Sequence, residues 1–204
     1  PSIPKAFGTH KMPEAEGDYL YPDETSTGIK IMSVNLLLDS ETTPVLWRGP
    51  IIANSVKQFY SDIIWGDIDY MFIDCPPGTG DVPLTIFQSI PIDGVVVVTT
   101  PQDLVSVIVG KAVHMADSMN IPVIGMVENM SYFICPNCSG KHYIFGHSRL
   151  EEVMKELYIG NAIRLPINPD LADLMDHGRI EEMADNKDLQ EMADLISTFD
   201  PDAL

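Results

Sequence analysis

Two stretches of this chain bring together residue types that could do chemistry. In Cys135-Pro136-Asn137-Cys138 two thiols stand two residues apart, a spacing at which one turn of backbone can offer both sulfurs to one metal centre. A tetrahedral zinc or a four-iron cluster takes four ligands, so the pair is half a site. His142 and His147 follow closely and could complete a local two-Cys, two-His zinc site; idle thiols and exposed loop histidines are the plainer alternative.

The second stretch is Asp69-Tyr70-Met71-Phe72-Ile73-Asp74-Cys75-Pro76-Pro77-Gly78-Thr79-Gly80-Asp81, an apolar run that ends in an acid and turns through Pro and Gly. Parallel sheets bind ligands beyond the carboxyl ends of their strands. There Asp74 could hold Mg²⁺ through water, while Gly78 and Gly80 would let backbone N–H groups approach a phosphate. The alternative is that Asp74 only organises the turn. Asp81 suits the cap of the next helix and Pro83 its first turn, where a missing N–H costs nothing. Cys75 reads as a small buried apolar residue rather than a ligand.

These residues need elements to position them. Residues 1–27 are rich in Pro, Gly and charge without a sustained period and read as loop. A strand is predicted over Ile29 to Leu38, a helix from Pro50 through Ile51, Val56, Phe59, Tyr60, Ile63 and Ile64, and a strand over Tyr70 to Ile73. Alternation continues with a helix at 82–89, strands at Val95–Thr99 and Pro122–Val127, and a helix at 103–119 between them. Beyond the Cys pair, helices are predicted at Ser148–Leu157, Pro169–His177 and Lys187–Thr198, with an extended Ala162–Leu165. Strand and helix in turn imply βαβ units and a parallel sheet. Gly94-Val95-Val96-Val97-Val98 is nearly all apolar, as expected when helices cover both faces. The fold class is therefore α/β, a three-layer, doubly wound, mostly parallel sheet, and no linker is long enough to divide residues 1–204 into two domains.

Composition narrows the function. Thirty acids against 12 Lys plus Arg give a net charge of −18, which disfavours attraction to nucleic-acid phosphates or anionic lipid. From position 180 onward Glu181, Glu182, Asp185, Asp188, Glu191, Asp194, Asp200 and Asp202 face only Lys187, which reads as a solvated helix face and tail. No apolar run approaches the roughly 20 residues that span a bilayer. No charged start is followed by an apolar stretch, so the cytoplasm is the expected address. Three cysteines are too few for a secreted disulfide framework.

Asp74-Cys75-Pro76-Pro77-Gly78-Thr79-Gly80-Asp81 resembles the Asp-x-Pro-Pro-Gly-Thr-Gly-Asp signature of the Mrp/Nbp/ApbC family, deviant P-loop ATPases related to MinD and ParA. Trp47-Arg48-Gly49-Pro50, Trp65-Gly66-Asp67, Thr100-Pro101-Gln102, Val127-Glu128-Asn129-Met130-Ser131 and the Cys pair follow the family's order, so the resemblance covers roughly Pro1 to Asp176. It implies a P-loop NTPase-like fold in which Asp74 orients hydrated Mg²⁺ and Gly78 lies in the switch that senses the terminal phosphate of ATP. It also implies that Asn129 hydrogen-bonds adenine and that Pro166 lines the base pocket. An amide suits adenine, offering donor and acceptor together; read without the family, Asn129 is a turn residue and Pro166 a strand end. Within a metal loop at about 131–147, Cys135 and Cys138 of two subunits would share a labile 4Fe-4S cluster across a two-fold axis.

The resemblance thus implies an ATP-regulated, homodimeric iron–sulfur cluster scaffold or carrier that hands its cluster to apo-proteins. A MinD- or ParA-type positioning ATPase would need an amphipathic membrane tail or a basic DNA-binding face, and the acidic Lys187 to Leu204 argues against both. A zinc-stapled binding module is the other alternative. One departure lies beside the cysteines: after Ile144-Phe145-Gly146 the family often has a Gly-rich stretch, and this chain has His147-Ser148-Arg149.

A phosphate loop, Gly-x-x-x-x-Gly-Lys-Ser/Thr, does not occur in these 204 residues. Gly110-Lys111 is followed by Ala112, and Gly140-Lys141 by His142. Pro1-Ser2-Ile3-Pro4 resembles the family sequence that follows the phosphate loop, its helix and the second strand. The expectation is a sheet missing the first βαβ unit and a central strand, with weak or no ATP hydrolysis by these residues alone.

Overall fold

The computed structural model describes residues 2–38, 49–183 and 186–201. Its first elements are α1 (Ile3–Phe7), β1 (Ala15–Glu16), β2 (Tyr19–Leu20), β3 (Asp23–Glu24), β4 (Lys30–Ile31) and α2 (Gly49–Ser61). There follow α3 (Asp81–Ser89), β5 (Val95–Thr99), α4 (Asp103–Ser118), β6 (Val123–Ile134), β7 (Lys141–His142), α5 (Leu150–Glu156), β8 (Ala162–Pro166), α6 (Pro169–Asp176) and α7 (Lys187–Thr198). They fall into two compact units, Pro1–Cys75 with Pro169–Ala184 and Pro76–Asn168 with Asp185–Leu204.

The second unit is built on parallel pairing. β6 lies between β5 and β8, with Val97 opposite Met126 and Val127 opposite Ile163. Side chains alternate across a strand, so each β-strand feeds two cores. On one face Val97 and Met126 pack with Val109 and Val113 of α4, Leu150 of α5 and Ile159. On the other, Val127 and Ile163 pack with Met192 of α7, and Val96, Leu165, Leu195 and Ile196 close around them. The result is three layers, α4 and α5 over the sheet and α7 beneath it, as predicted. Gly125 makes the lower contact possible: a Cβ there would stand 2.9 Å from the Met192 methyl and 3.2 Å from the Asn161 carbonyl oxygen. Among the described residues β5 pairs only with β6, and Val98 is 62% exposed, so the valine run is not covered along its whole length.

In the first unit, residues read as loop form α1, the short antiparallel ladder of β1 with β2, and β3, which pairs antiparallel with β4 at the start of the predicted Ile29–Leu38 strand. Gly17 at φ 64° turns the first ladder. Gly8 ends α1 in the left-handed region at φ 65°, and a Cβ on it would lie 2.5 Å from the Gly178 carbonyl oxygen just after α6. The two glycines therefore let the ends of α1 and α6 meet backbone to backbone.

Two predicted strands are corrected. Only Lys30–Ile31 of the Ile29–Leu38 run is extended, because the Ser33 hydroxyl accepts from the Asn35 N–H at 3.3 Å and opens a 3-10 turn over Val34–Leu37. Tyr70–Ile73 forms no strand: nothing among the described residues pairs with it, and Tyr70 and Phe72 stand 56% and 76% exposed. A strand is a property of its ladder, and apolar composition alone does not make one.

Candidate metal and nucleotide sites

β6 changes partners partway along its length. Up to Glu128 it is a central parallel strand; Met130 then takes φ 54°, the register with β8 shifts between Glu128 and Tyr132, and the strand runs on to pair antiparallel with β7. The Cys loop is the connection of that hairpin. Cys135 N–H donates to Gly140 O at 2.9 Å and Ser139 N–H to Cys135 O at 2.8 Å, closing a tight knuckle with Ser139 at φ 55°. Phe133 lies directly opposite His142, so His142 shares its sheet face with Phe133 and, two residues on, with Cys135. One ligand atom each from Cys135, Cys138 and His142 lies within 4.8 Å of the others.

Cys135 is half-buried while Cys138 and His142 are exposed, so the donors are open to solvent. Backbone N–H groups of Asn137 and Cys138, and then the Cys138 thiol, point at the Cys135 sulfur and hold its pKa below the ordinary thiol value. The thiolate, the form that binds metal, is favoured there. His147 is not in the donor set: its ring rests on Tyr143 with centroids 4.7 Å apart. Cys75, read as buried, is exposed and lies in the other unit.

Where β6 and β8 pair at Glu128 and Arg164, just before their register shifts, lies a polar cluster that the sequence reading missed. The Glu128 carboxylate, 2% exposed, accepts from Ser131 Oγ and from Ser148 Oγ at 2.8 Å, with Arg164 Nε at 3.6 Å. Arg164 also donates to Ser148 Oγ at 3.2 Å and pairs with Glu151, whose carboxyl it holds below the usual range. The available signal was an acid three residues before a Ser at the end of an apolar strand. Asn129 is half-buried, and its Oδ1 accepts from the Met130 N–H at 2.8 Å. Pro166 ends β8 and sits across from Tyr132, three residues past Asn129, which lies where the β6–β8 register shifts. A cleft of about 350 Å³ opens nearby between α4 and α5, lined by Thr99, Thr100, Lys111, His114, Glu128 and Arg149 among others.

Asp74 is exposed and lies in the first unit, while Gly78 lies in the second at φ 89°. A Cβ at Gly78 would meet nothing within 4 Å, so backbone conformation rather than crowding asks for glycine. The cap of α3 is Gly80 and not Asp81; Asp81 falls in the first turn, where its charge meets the positive end of the helix, and Pro83 falls in that turn as predicted and is buried. Trp47 and Arg48 lie outside the described residues, as do Asp185 and Asp202.

A parallel sheet with helices packed on both faces is an α/β fold of the kind that binds ligands beyond the carboxyl ends of its strands. A family model described as ParA, NUBPL iron-transfer P-loop NTPase matches residues 1–199, and the chain belongs to that family. The chain is 42% identical over 198 residues to a Methanocaldococcus jannaschii protein named "Iron-sulfur cluster carrier protein", covering 96% of this chain and 68% of that one. It is 40% identical over 191 residues to a Schizosaccharomyces japonicus protein named "Probable cytosolic Fe-S cluster assembly factor", covering 86% of this chain and 31% of that one. A solved nucleotide-binding protein from Archaeoglobus fulgidus, in complex with ADP and with cobalt found by PIXE, superposes with a TM-score of 0.78 at 38% identity. The match covers 98% of this chain and 75% of that chain.

Proposed function

We propose that this chain is an iron–sulfur cluster carrier, receiving a cluster and handing it to apo-proteins, and that its residues 1–204 work as one functional domain. The observation that carries the reading is the knuckle of Cys135 and Cys138: two sulfurs at the tip of a hairpin, open to solvent, with the Cys135 thiolate favoured by backbone N–H groups. Two such thiolates are half of a four-ligand set, and a second copy related by a two-fold axis supplies the other half. A cluster held by two ligands per chain is cargo: it leaves by ligand exchange when an acceptor's thiolates replace these, and its iron and sulfide pass over without net oxidation or reduction.

Nucleotide control of that dimer is the finer part of the proposal. Asn129 and Pro166 are assigned to the adenine pocket, the amide offering its NH₂ edge to the base while Oδ1 is engaged by Met130 N–H. The exposed Asp74 carboxylate is assigned to hydrated Mg²⁺ and Gly78 to the turn that follows the terminal phosphate. Of these residues Gly78, Asn129 and Pro166 share one structural unit and Asp74 lies in the other, so the assignment to a base rests on Asn129, where the β6–β8 register shifts, and on Pro166 at the end of β8. The cytoplasm is the assigned compartment; among the described residues no helix is long and apolar enough to cross a membrane.

The experiment is anaerobic reconstitution of the full chain with iron and sulfide, read by visible absorption and by mass in solution, followed by transfer to an apo-ferredoxin. The wild type should load one cluster per two chains and pass it on. Replacing both Cys135 and Cys138 by Ala should abolish loading and cluster-dependent dimerisation; unchanged loading in that variant would end the carrier reading.

A further inference from the structure

We propose that a single chain holds one divalent transition-metal ion of the zinc class through Cys135, Cys138 and His142, with the fourth position open. The inference stands on the geometry of the hairpin and does not need the carrier reading. A tetrahedral ion with bonds of about 2.0–2.3 Å places its donors about 3.3–3.8 Å apart. The three ligand atoms already lie within 4.8 Å of one another. Closing the set therefore asks for at most about 1–1.5 Å of side-chain adjustment in residues that are exposed or half-buried.

Three features bring the imidazole to the sulfurs, and sequence spacing alone would supply none of them. The β6–β7 register seats His142 opposite Phe133 and on the face of Cys135. The bond from Cys135 N–H to Gly140 O folds the loop so that Lys141 and His142 return alongside Ile134 and Phe133. Gly140 stands at the gap between donors: a Cβ on it would lie 3.2 Å from Cys138 Sγ and 3.4 Å from His142 Nε2. Lys141, the intervening residue, is drawn aside, with its ammonium 3.8 Å from the Tyr132 ring centroid.

Two thiolates and one imidazole form a borderline-soft tetrahedral set that suits Zn²⁺, Co²⁺ or Fe²⁺ and does not suit Mg²⁺ or Ca²⁺. Because His147 is stacked on Tyr143, three protein ligands and one exchangeable position result. The same two sulfurs cannot also serve a cluster shared between chains, so a bound divalent ion and a loaded cluster exclude each other. His142 thereby gives the monomer a metal state distinct from that of the dimer.

The test is a Co²⁺ titration of the reduced, anaerobic full chain, with visible absorption and solution mass followed together. The expected result is saturation at one Co²⁺ per monomeric chain, with intense tetrahedral d–d bands and a thiolate-to-cobalt charge-transfer band. His142→Ala should weaken Co²⁺ binding by more than about tenfold, a loss seen even for second-shell changes at metal sites, and alter the d–d bands. His142→Cys should restore tight binding with a more thiolate-like spectrum, and His147→Ala should leave affinity and bands as in the wild type. Unaltered affinity and bands in His142→Ala, or wild-type saturation at one Co²⁺ per two chains, would overturn the inference. Cluster loading of the double Cys variant judges the carrier reading separately, so either can fail without the other.

Discussion

Glu128→Ala probes what holds β6 where its register with β8 shifts, one residue before the candidate adenine contact. Glu128 is 2% exposed and receives hydrogen bonds from Ser131 Oγ and from Ser148 Oγ at 2.8 Å. A hydrogen bond to a charged group contributes about 1.5–3 kcal/mol. Arg164 contributes little beyond that: its side chain is 36% exposed, its Nε stands 3.6 Å away, and it keeps Glu151 as a second partner. Solvent screening puts such a pair at about 0–1 kcal/mol. The two hydroxyl bonds thus set the scale, and Glu128→Ala should cost about 3–6 kcal/mol, two such bonds at about 1.5–3 kcal/mol each.

Glu128→Gln keeps the shape and one oxygen acceptor, and should cost about 1–2 kcal/mol. Urea unfolding at neutral pH, followed by circular dichroism, reads both values from the midpoint shift at constant slope. A Ser148→Ala cycle should return a coupling of at least about 1 kcal/mol between the two side chains. A loss below about 1 kcal/mol in Glu128→Ala would refute the reasoning, because the orphaned hydroxyls would then be as well served by water as by the carboxylate.

Two further outcomes follow from the first unit. Gly8→Ala should lower stability well beyond Gly17→Ala, since both sit near φ 65° but only Gly8 would drive a Cβ to 2.5 Å from a backbone oxygen; the φ cost alone is roughly 1–2 kcal/mol. Paired thermal melts of the two variants compare them, and equal shifts would show that the α1–α6 contact yields freely. The Ser26, Thr25 and Thr27 hydroxyls donate to Glu181 and lower its pKa from 4.5 to about 2. A depressed folded-state value stabilises above the unfolded pKa and is lost on acidification, so wild type should exceed Glu181→Gln above about pH 4.5 and converge with it as pH falls through about 2. Melting temperatures across that range check the sign.

What could be read from the chain in advance was what local periodicity determines. The valine run of β5, the amphipathic α4, α5, α6 and α7 and the extended β8 carry their own signal; α4, α5 and α7 cover the two faces of the sheet, while α6 packs in the first unit. Tyr70–Ile73 has the same composition as a strand but depends on a ladder partner, which no window of sequence contains. The same division runs through the sites. Cys135 and Cys138 are legible because three residues of backbone hold them close whatever the fold does. His142 and His147 look alike in sequence, seven and twelve residues after Cys135. Only the pairing of His142 with Phe133 and the seating of His147 on Tyr143 separate a donor from a bystander. Glu128 carries no such signal, because its partner Ser148 lies in the loop before α5 and Arg164 on β8, which parallel pairing brings to it from far along the chain. Short-range chemistry is thus visible from residue types, whereas any site completed across a ladder must wait for the register that completes it.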